Sequence, residues 1–132
     1  MPLARISLKR GRSDEFLASV ADAVYESLRA IFAIPDGDRF AIIEQRDDHE
    51  IVFDRNYLVT ERTDGLIFIQ ITASDTRTAT QKRDLYRDIA ARLIALGVAP
   101  GDVFIVLTEV KPENWSFGEG RMAYPPHDLD AA

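Results

Sequence analysis

The sequence predicts an α+β fold in which two copies of one β-α-β unit form a four-stranded mixed sheet with two helices on one face. The first observation behind this is an internal repeat. Arg12 overlies Arg77 and Pro35 overlies Pro100 at a shift of 65, and Asp38 overlies Asp102 and Phe40 overlies Phe104 at 64. The second is that each copy runs in the same order, from a short apolar segment through a helical stripe to another apolar segment. The copies span about residues 2–45 and 66–110 of a single domain of 132 residues, with a C-terminal tail over 111–132.

Each copy opens on an apolar run of strand length, Leu3 to Leu8 in the first and Leu66 to Thr72 in the second, the latter rich in β-branched residues. A helix start follows each strand. Ser13 can accept from free amides, with Asp14 and Glu15 favouring the positive end of the helix dipole, and Thr78 and Gln81 have capping-box spacing. Phe16, Val20, Val24, Leu28 and Ile31 recur every three to four residues, as do Leu85, Ile89, Leu93 and Leu96, so each helix has one apolar stripe to lay on a sheet. Ile34-Pro35 and Gly97-Val98-Ala99-Pro100 end those helices, and Phe40–Gln45 and Val103–Val110 return as strands. A strand returning after a helix pairs in parallel through a right-handed crossover, which puts both helices on the same face.

The other face also carries apolar residues. Ile67, Ile69 and Ile71, grouped with Phe104, Val106 and Thr108, alternate with Phe68, Gln70, Ile105 and Leu107. Packing sheet against sheet between subunits would bury that face, which predicts an oligomer. Between the copies, Ile51-Val52-Phe53 and Tyr57-Leu58-Val59 flank Asp54-Arg55-Asn56, a pattern suited to a small hairpin or excursion. The tail places Trp115, Phe117 and Tyr124 among glycines and prolines, and should pack on a neighbouring subunit or roof a pocket.

Composition narrows the functional classes. With 16 Lys and Arg against 22 Asp and Glu, the net charge of −6 offers no electrostatic footprint for nucleic acid or anionic membrane. There is no cysteine, and His49 and His127 stand apart from any ligand set, so neither metal nor other cofactor is expected. The N-terminal MPLARISLKR lacks an apolar signal core and no run approaches the ~18 apolar residues of a membrane span, so a cytoplasmic protein is expected.

The chemistry points to the N-terminus. Removal of Met1 ahead of the small Pro2 would leave a secondary amine fixed at the first residue of a strand. An α-amino group titrates near pH ~8, closer to neutrality than lysine, and can take a proton when neutral or give one when charged.

Four pieces of sequence, the N-terminal MPL, PDGDRF, TRTATQK and NWSFGEG, together resemble the tautomerase superfamily, most closely its malonate semialdehyde decarboxylase-like group, from Pro2 to about Tyr124. The resemblance implies a homotrimer and a catalytic Pro2. That amine would be the base in enol–keto tautomerisation of a small 2-oxo or unsaturated carboxylic acid, or, protonated, the acid in hydration or decarboxylation of a 3-oxo acid. By the same resemblance Arg77 grips the substrate carboxylate, a task its paired donors suit, and Asp38 orients the proline or a water. Trp115 and Phe117 could wall the pocket, although tail aromatics also pack at interfaces. The decarboxylase has a second arginine where this chain has Asp75, which weighs against decarboxylation. Fold alone does not fix function, and a non-catalytic carboxylate-binding module is the alternative reading.

Overall fold

A computed structural model describes residues 1–129. Its strands and helices run β1 (Leu3–Lys9), α1 (Asp14–Phe32), β2 (Ala41–Arg46), β3 (Ile67–Ser74), α2 (Ala79–Ala95) and β4 (Val103–Val110). The sheet order is β2-β1-β3-β4, with β1/β2 and β3/β4 parallel and the two units joined by the antiparallel β1/β3 pair. The expected mixed sheet is therefore present, each parallel pair closed by its own helix.

Both helices start where their caps place them. The Ser13 hydroxyl accepts from Phe16 N, and Thr78 and Gln81 form a reciprocal capping box. α1 ends at Phe32 because Ala33 turns left-handed, at φ 53°, before Ile34-Pro35, and α2 ends before Gly97, whose φ of 95° a residue with Cβ rarely adopts. Ile6, Leu8, Ile67, Ile69 and Ile71 point at Val20, Val24 and Leu28 of α1 and at Leu85, Ile89 and Leu93 of α2, forming one core. Burying each such side chain contributes about 1.5–3 kcal/mol.

The opposite face carries Ile42, Phe68, Gln70, Phe104 and Val106, with Phe68 and Phe104 meeting edge to face at 5.0 Å. Ile42, Phe104 and Val106 are exposed. The grouping of Phe104 and Val106 with Ile67 and Ile69 is corrected by one residue: Phe104 pairs with Phe68, and Ile105 with Ile69. Two neighbouring apolar runs without polar alternation do not set their own phase; register does.

The segment between the copies forms no hairpin. It begins with a 3₁₀ turn at Asp48–Glu50 and continues as an excursion tied by side chains. Asp54 Oδ1 accepts from Asn56 N and Tyr57 N, both at 2.8 Å, and Arg62 Nη1 donates to the Asp54 carbonyl, also at 2.8 Å. Asp54-Arg55-Asn56 makes an Asx turn that satisfies its own backbone, leaving no ladder for the flanking apolar triplets.

Candidate active site

The first residues of β1 meet three other chain segments: the α1–β2 loop, the β3–α2 loop and the tail. Pro2 is buried where β1 begins, in a tight space shared with Tyr25, Leu28, Asp38 and Phe40. Asp38 lies in the loop Pro35–Arg39, which α1 grips along one stripe. Arg29 pairs with Asp36 at 2.5 Å, Gly37 N donates to the Tyr25 hydroxyl at 3.2 Å, and Arg39 pairs with Asp22. Gly37, at φ 85°, supplies the turn that aims Asp38 inward.

The Asp38 side chain is 7% exposed, and its Oδ2 lies 3.3 Å from the N-terminal amine of Met1. The contact has ion-pair distance without hydrogen-bond alignment, so Oδ2 has no hydrogen-bond partner among the described residues. A buried carboxylate oxygen left free costs stability, and such departures gather at functional sites.

Arg77, half-buried just ahead of the α2 cap, donates from Nη2 to the carbonyl of Phe32 at 2.9 Å and from Nη1 to Thr76 Oγ1 at 2.8 Å, with the guanidinium 4.7 Å from the centre of the Phe32 ring. It thus closes the C-terminus of α1, where a cation meets the free carbonyls. Burial pulls its pKa below the ordinary arginine value, an effect the Asp38 carboxylate opposes. Two of its five N–H groups are engaged in these bonds, leaving others for an anion.

Met1, Ala33, Ile34, Pro35, Ser74 and Arg77 line a cavity of about 290 Å³, with Tyr124 at its wall. The tail reaches it through aromatic contacts. Trp115 Nε1 donates to Ser74 Oγ at 3.0 Å, Phe117 stacks on Trp115 at 5.4 Å and on Phe40 at 5.8 Å, and Tyr124 meets the Phe117 ring edge-on at 6.2 Å. Burial and then the Asp38 carboxylate push the Tyr124 phenol above its ordinary pKa.

The structure thus gathers Pro2, Asp38 and Arg77 about one end of the sheet, with Trp115 and Phe117 covering it from the tail. Sequence reading singled out Tyr124 as a tail aromatic without giving it a place in this wall, and it missed Ser74 and Tyr25. Ser74 ends a strand and Tyr25 sits on a helix, so neither had a local pattern beyond its element. Residues 130–132 of the tail lie outside the described residues. Among the described residues no three His, Cys, Asp or Glu cluster as metal ligands, and no helix is long and apolar enough to cross a membrane.

Two β-α-β units joined into one four-stranded sheet place the chain in the tautomerase fold class. The solved structure of FG41 malonate semialdehyde decarboxylase inhibited by 3-bromopropiolate superposes with a TM-score of 0.88 at 37% identity, covering 92% of this chain and 93% of that one. A fused 4-OT symmetric trimer shares the fold at 16% identity, with a TM-score of 0.75 over 92% of this chain and 95% of that one. Residues 38–118 match a family profile described as tautomerase enzyme. Over 122 residues the chain is 42% identical to "Probable tautomerase YusQ" of Bacillus subtilis (strain 168), covering 92% of this chain and 96% of that protein. The chain belongs to this tautomerase family.

Proposed function

We propose that the protein is a cytoplasmic, homotrimeric tautomerase in which Pro2, freed of Met1, is the catalytic amine acting on a small 2-oxo or unsaturated carboxylic acid. The observation that carries this is the buried Asp38 carboxylate facing the amine 3.3 Å away at the head of β1. In the structure that amine belongs to Met1, which also fills part of the cavity beside Arg77. Excision of Met1 moves the amine back to the buried, strand-anchored Pro2 and clears that part of the cavity.

In this reading the uncommitted N–H groups of Arg77 hold the substrate carboxylate. The neutral Pro2 amine takes the proton from the enol hydroxyl as the carbonyl forms, and the resulting ammonium returns a proton to C3. The enol and keto acids are isomers, so nothing else is consumed. Asp38 stabilises the ammonium between the two steps, and Trp115, Phe117 and Tyr124 keep water from the cavity, which strengthens each charge interaction. The homotrimer would bury the apolar row Ile42, Phe68, Phe104 and Val106, and a trimeric relative of the same fold supports it.

A second reading, decarboxylation or hydration of a 3-oxo acid, draws support from the 37% identity to FG41 malonate semialdehyde decarboxylase. There a protonated Pro2 would hydrogen-bond the 3-oxo oxygen as the C1–C2 bond breaks; carbon dioxide leaves, the electron pair passes to the enolate, and a proton delivered to C2 gives the carbonyl product. Asp75, exposed beside Thr76 and Arg77, supplies no second cation for it.

The test is ketonisation of phenylenolpyruvate followed by ultraviolet absorbance for the wild type, Pro2→Ala and Arg77→Ala. A loss of tenfold or more in kcat/KM for both variants, ~1.4 kcal/mol of transition-state stabilisation, supports the reading. A Pro2→Ala variant as fast as the wild type removes the catalytic amine from it. Turnover of malonate semialdehyde without tautomerase activity favours the second reading.

A further inference from the structure

The internal repeat gives this site a counterpart at the opposite end of the sheet. Arg12 follows β1 as Arg77 follows β3, and Asp102 precedes β4 as Asp38 precedes β2. A cavity of about 250 Å³ opens there, lined by Leu8 to Arg12, Asp48, Asp64 and Gly65, close in size to the 290 Å³ cavity beside Arg77. Where the first copy begins with an amine, the second has continuous backbone at Gly65. A Cβ at Gly65 would sit 2.8 Å from Arg12 Nη2 and 3.3 Å from Asp102 Oδ2, so the arginine and the carboxylate flank one point and only glycine leaves Arg12 its place.

The two ends differ in which charges are spent. Asp102, 2% exposed, accepts from Thr63 N at 2.7 Å and from Thr63 Oγ1 at 2.5 Å, so it is committed to the fold as Asp38 is not. Lys9 Nζ pairs with Asp64 at 3.2 Å and Asp48 at 4.0 Å, Asp64 also pairs with Arg55 at 2.6 Å, and Arg10 pairs with Asp47 at 3.1 Å. Among the described residues Arg12 alone of the cavity's cations has no carboxylate within 4.0 Å, and its guanidinium rests 4.5 Å from the centre of the Phe16 ring. Its planar face is therefore held by an aromatic ring while its edge, with paired donors, remains for a planar anion.

We propose that this cavity is a second site for a small carboxylate, held by Arg12 and unable to turn it over because it has no N-terminal secondary amine and the one amine in its lining, Lys9, is paired with Asp64 and Asp48. The comparison with Arg77 rests on the reading of that residue as the substrate-carboxylate ligand; the cavity and the uncommitted charge stand without it. Catalysis and sensing would then be divided between the two ends of the sheet, the first site performing the chemistry and the second sensing the same class of molecule.

The experiment is a ¹H–¹⁵N titration of the untagged protein with malonate against chloride at matched ionic strength, for the wild type, Arg12→Gln and Arg77→Gln. The amide dispersion reports in the same spectra whether each variant is folded. Two separable sets of shifts are expected, one at Gly11, Arg12, Ser13 and Gly65 and one at Ser74, Thr76 and Arg77. Arg12→Gln should raise the Kd of the first set tenfold or more and leave the second unchanged. If the first set stays still, moves equally in Arg12→Gln, or responds equally to chloride, the second site is overturned while the second set still reports on Arg77. If the first set moves and the second does not, the new site stands and the carboxylate role of Arg77 falls.

Discussion

Asp38 and Asp102 hold the same place in the two copies, yet replacing each by alanine should have opposite consequences. Asp102→Ala removes the acceptor of two short hydrogen bonds from Thr63 at a position 2% exposed, and Thr63 Oγ1 in turn accepts from Gly65 N at 3.0 Å. A hydrogen bond to a charged group contributes about 1.5–3 kcal/mol net, and a stranded buried donor costs about 1–3 kcal/mol. The expected loss is about 3 kcal/mol, a large part of the 5–15 kcal/mol typical of a domain, and a fall in Tm of roughly 10 °C. Asp38→Ala breaks no hydrogen bond to Oδ2, which has no donor among the described residues. It should cost under about 1 kcal/mol and yet lower kcat/KM tenfold or more. Urea midpoints at one fixed protein concentration, read beside phenylenolpyruvate turnover, test both halves. Equal losses of stability in the two variants would refute the division of roles.

Three further outcomes follow from the same geometry. Ile69→Ala, at the fully buried centre of the sheet, should cost about 2–5 kcal/mol in urea unfolding. In an absorbance titration of the phenols, Tyr124→Phe should remove the component that ionises above the ordinary tyrosine range. Asp38→Asn should shift that component to lower pH, because the carboxylate disfavours the phenolate; an unchanged titration in both variants would contradict the placement of Tyr124. Phe104→Asp puts a charge on the exposed apolar row beside Phe68, so light scattering should report a smaller assembly than for the wild type, and an unchanged mass would mean that this face is not the interface.

The architecture was legible because the repeat states it twice. Ser13 and Thr78 mark helix starts, Pro35 and Gly97 mark helix ends, and each apolar stripe has one period. What failed is what those signals do not encode. The phase of β4 depends on pairing Phe68 with Phe104, a contact 36 residues apart, and the excursion after β2 is decided by Arg62 reaching back to Asp54 rather than by its apolar triplets. At the site, Pro2, Asp38 and Arg77 could be named in advance because each lies in a stretch resembling the family. The grip of Tyr25 on Gly37, and the bond from Trp115 to Ser74, join residues that no spacing relates.

The most direct test of the catalytic amine displaces it without touching a side chain. A chain with one lysine inserted between Met1 and Pro2 keeps its initiator methionine, so Pro2 remains an amide in an otherwise unaltered sequence. Compared by mass and by phenylenolpyruvate turnover with the protein that begins at Pro2, the extended chain should remain folded and lose at least about a hundredfold in kcat/KM, the lower end of what general acid–base catalysis supplies. Equal turnover by the two would contradict a catalytic Pro2.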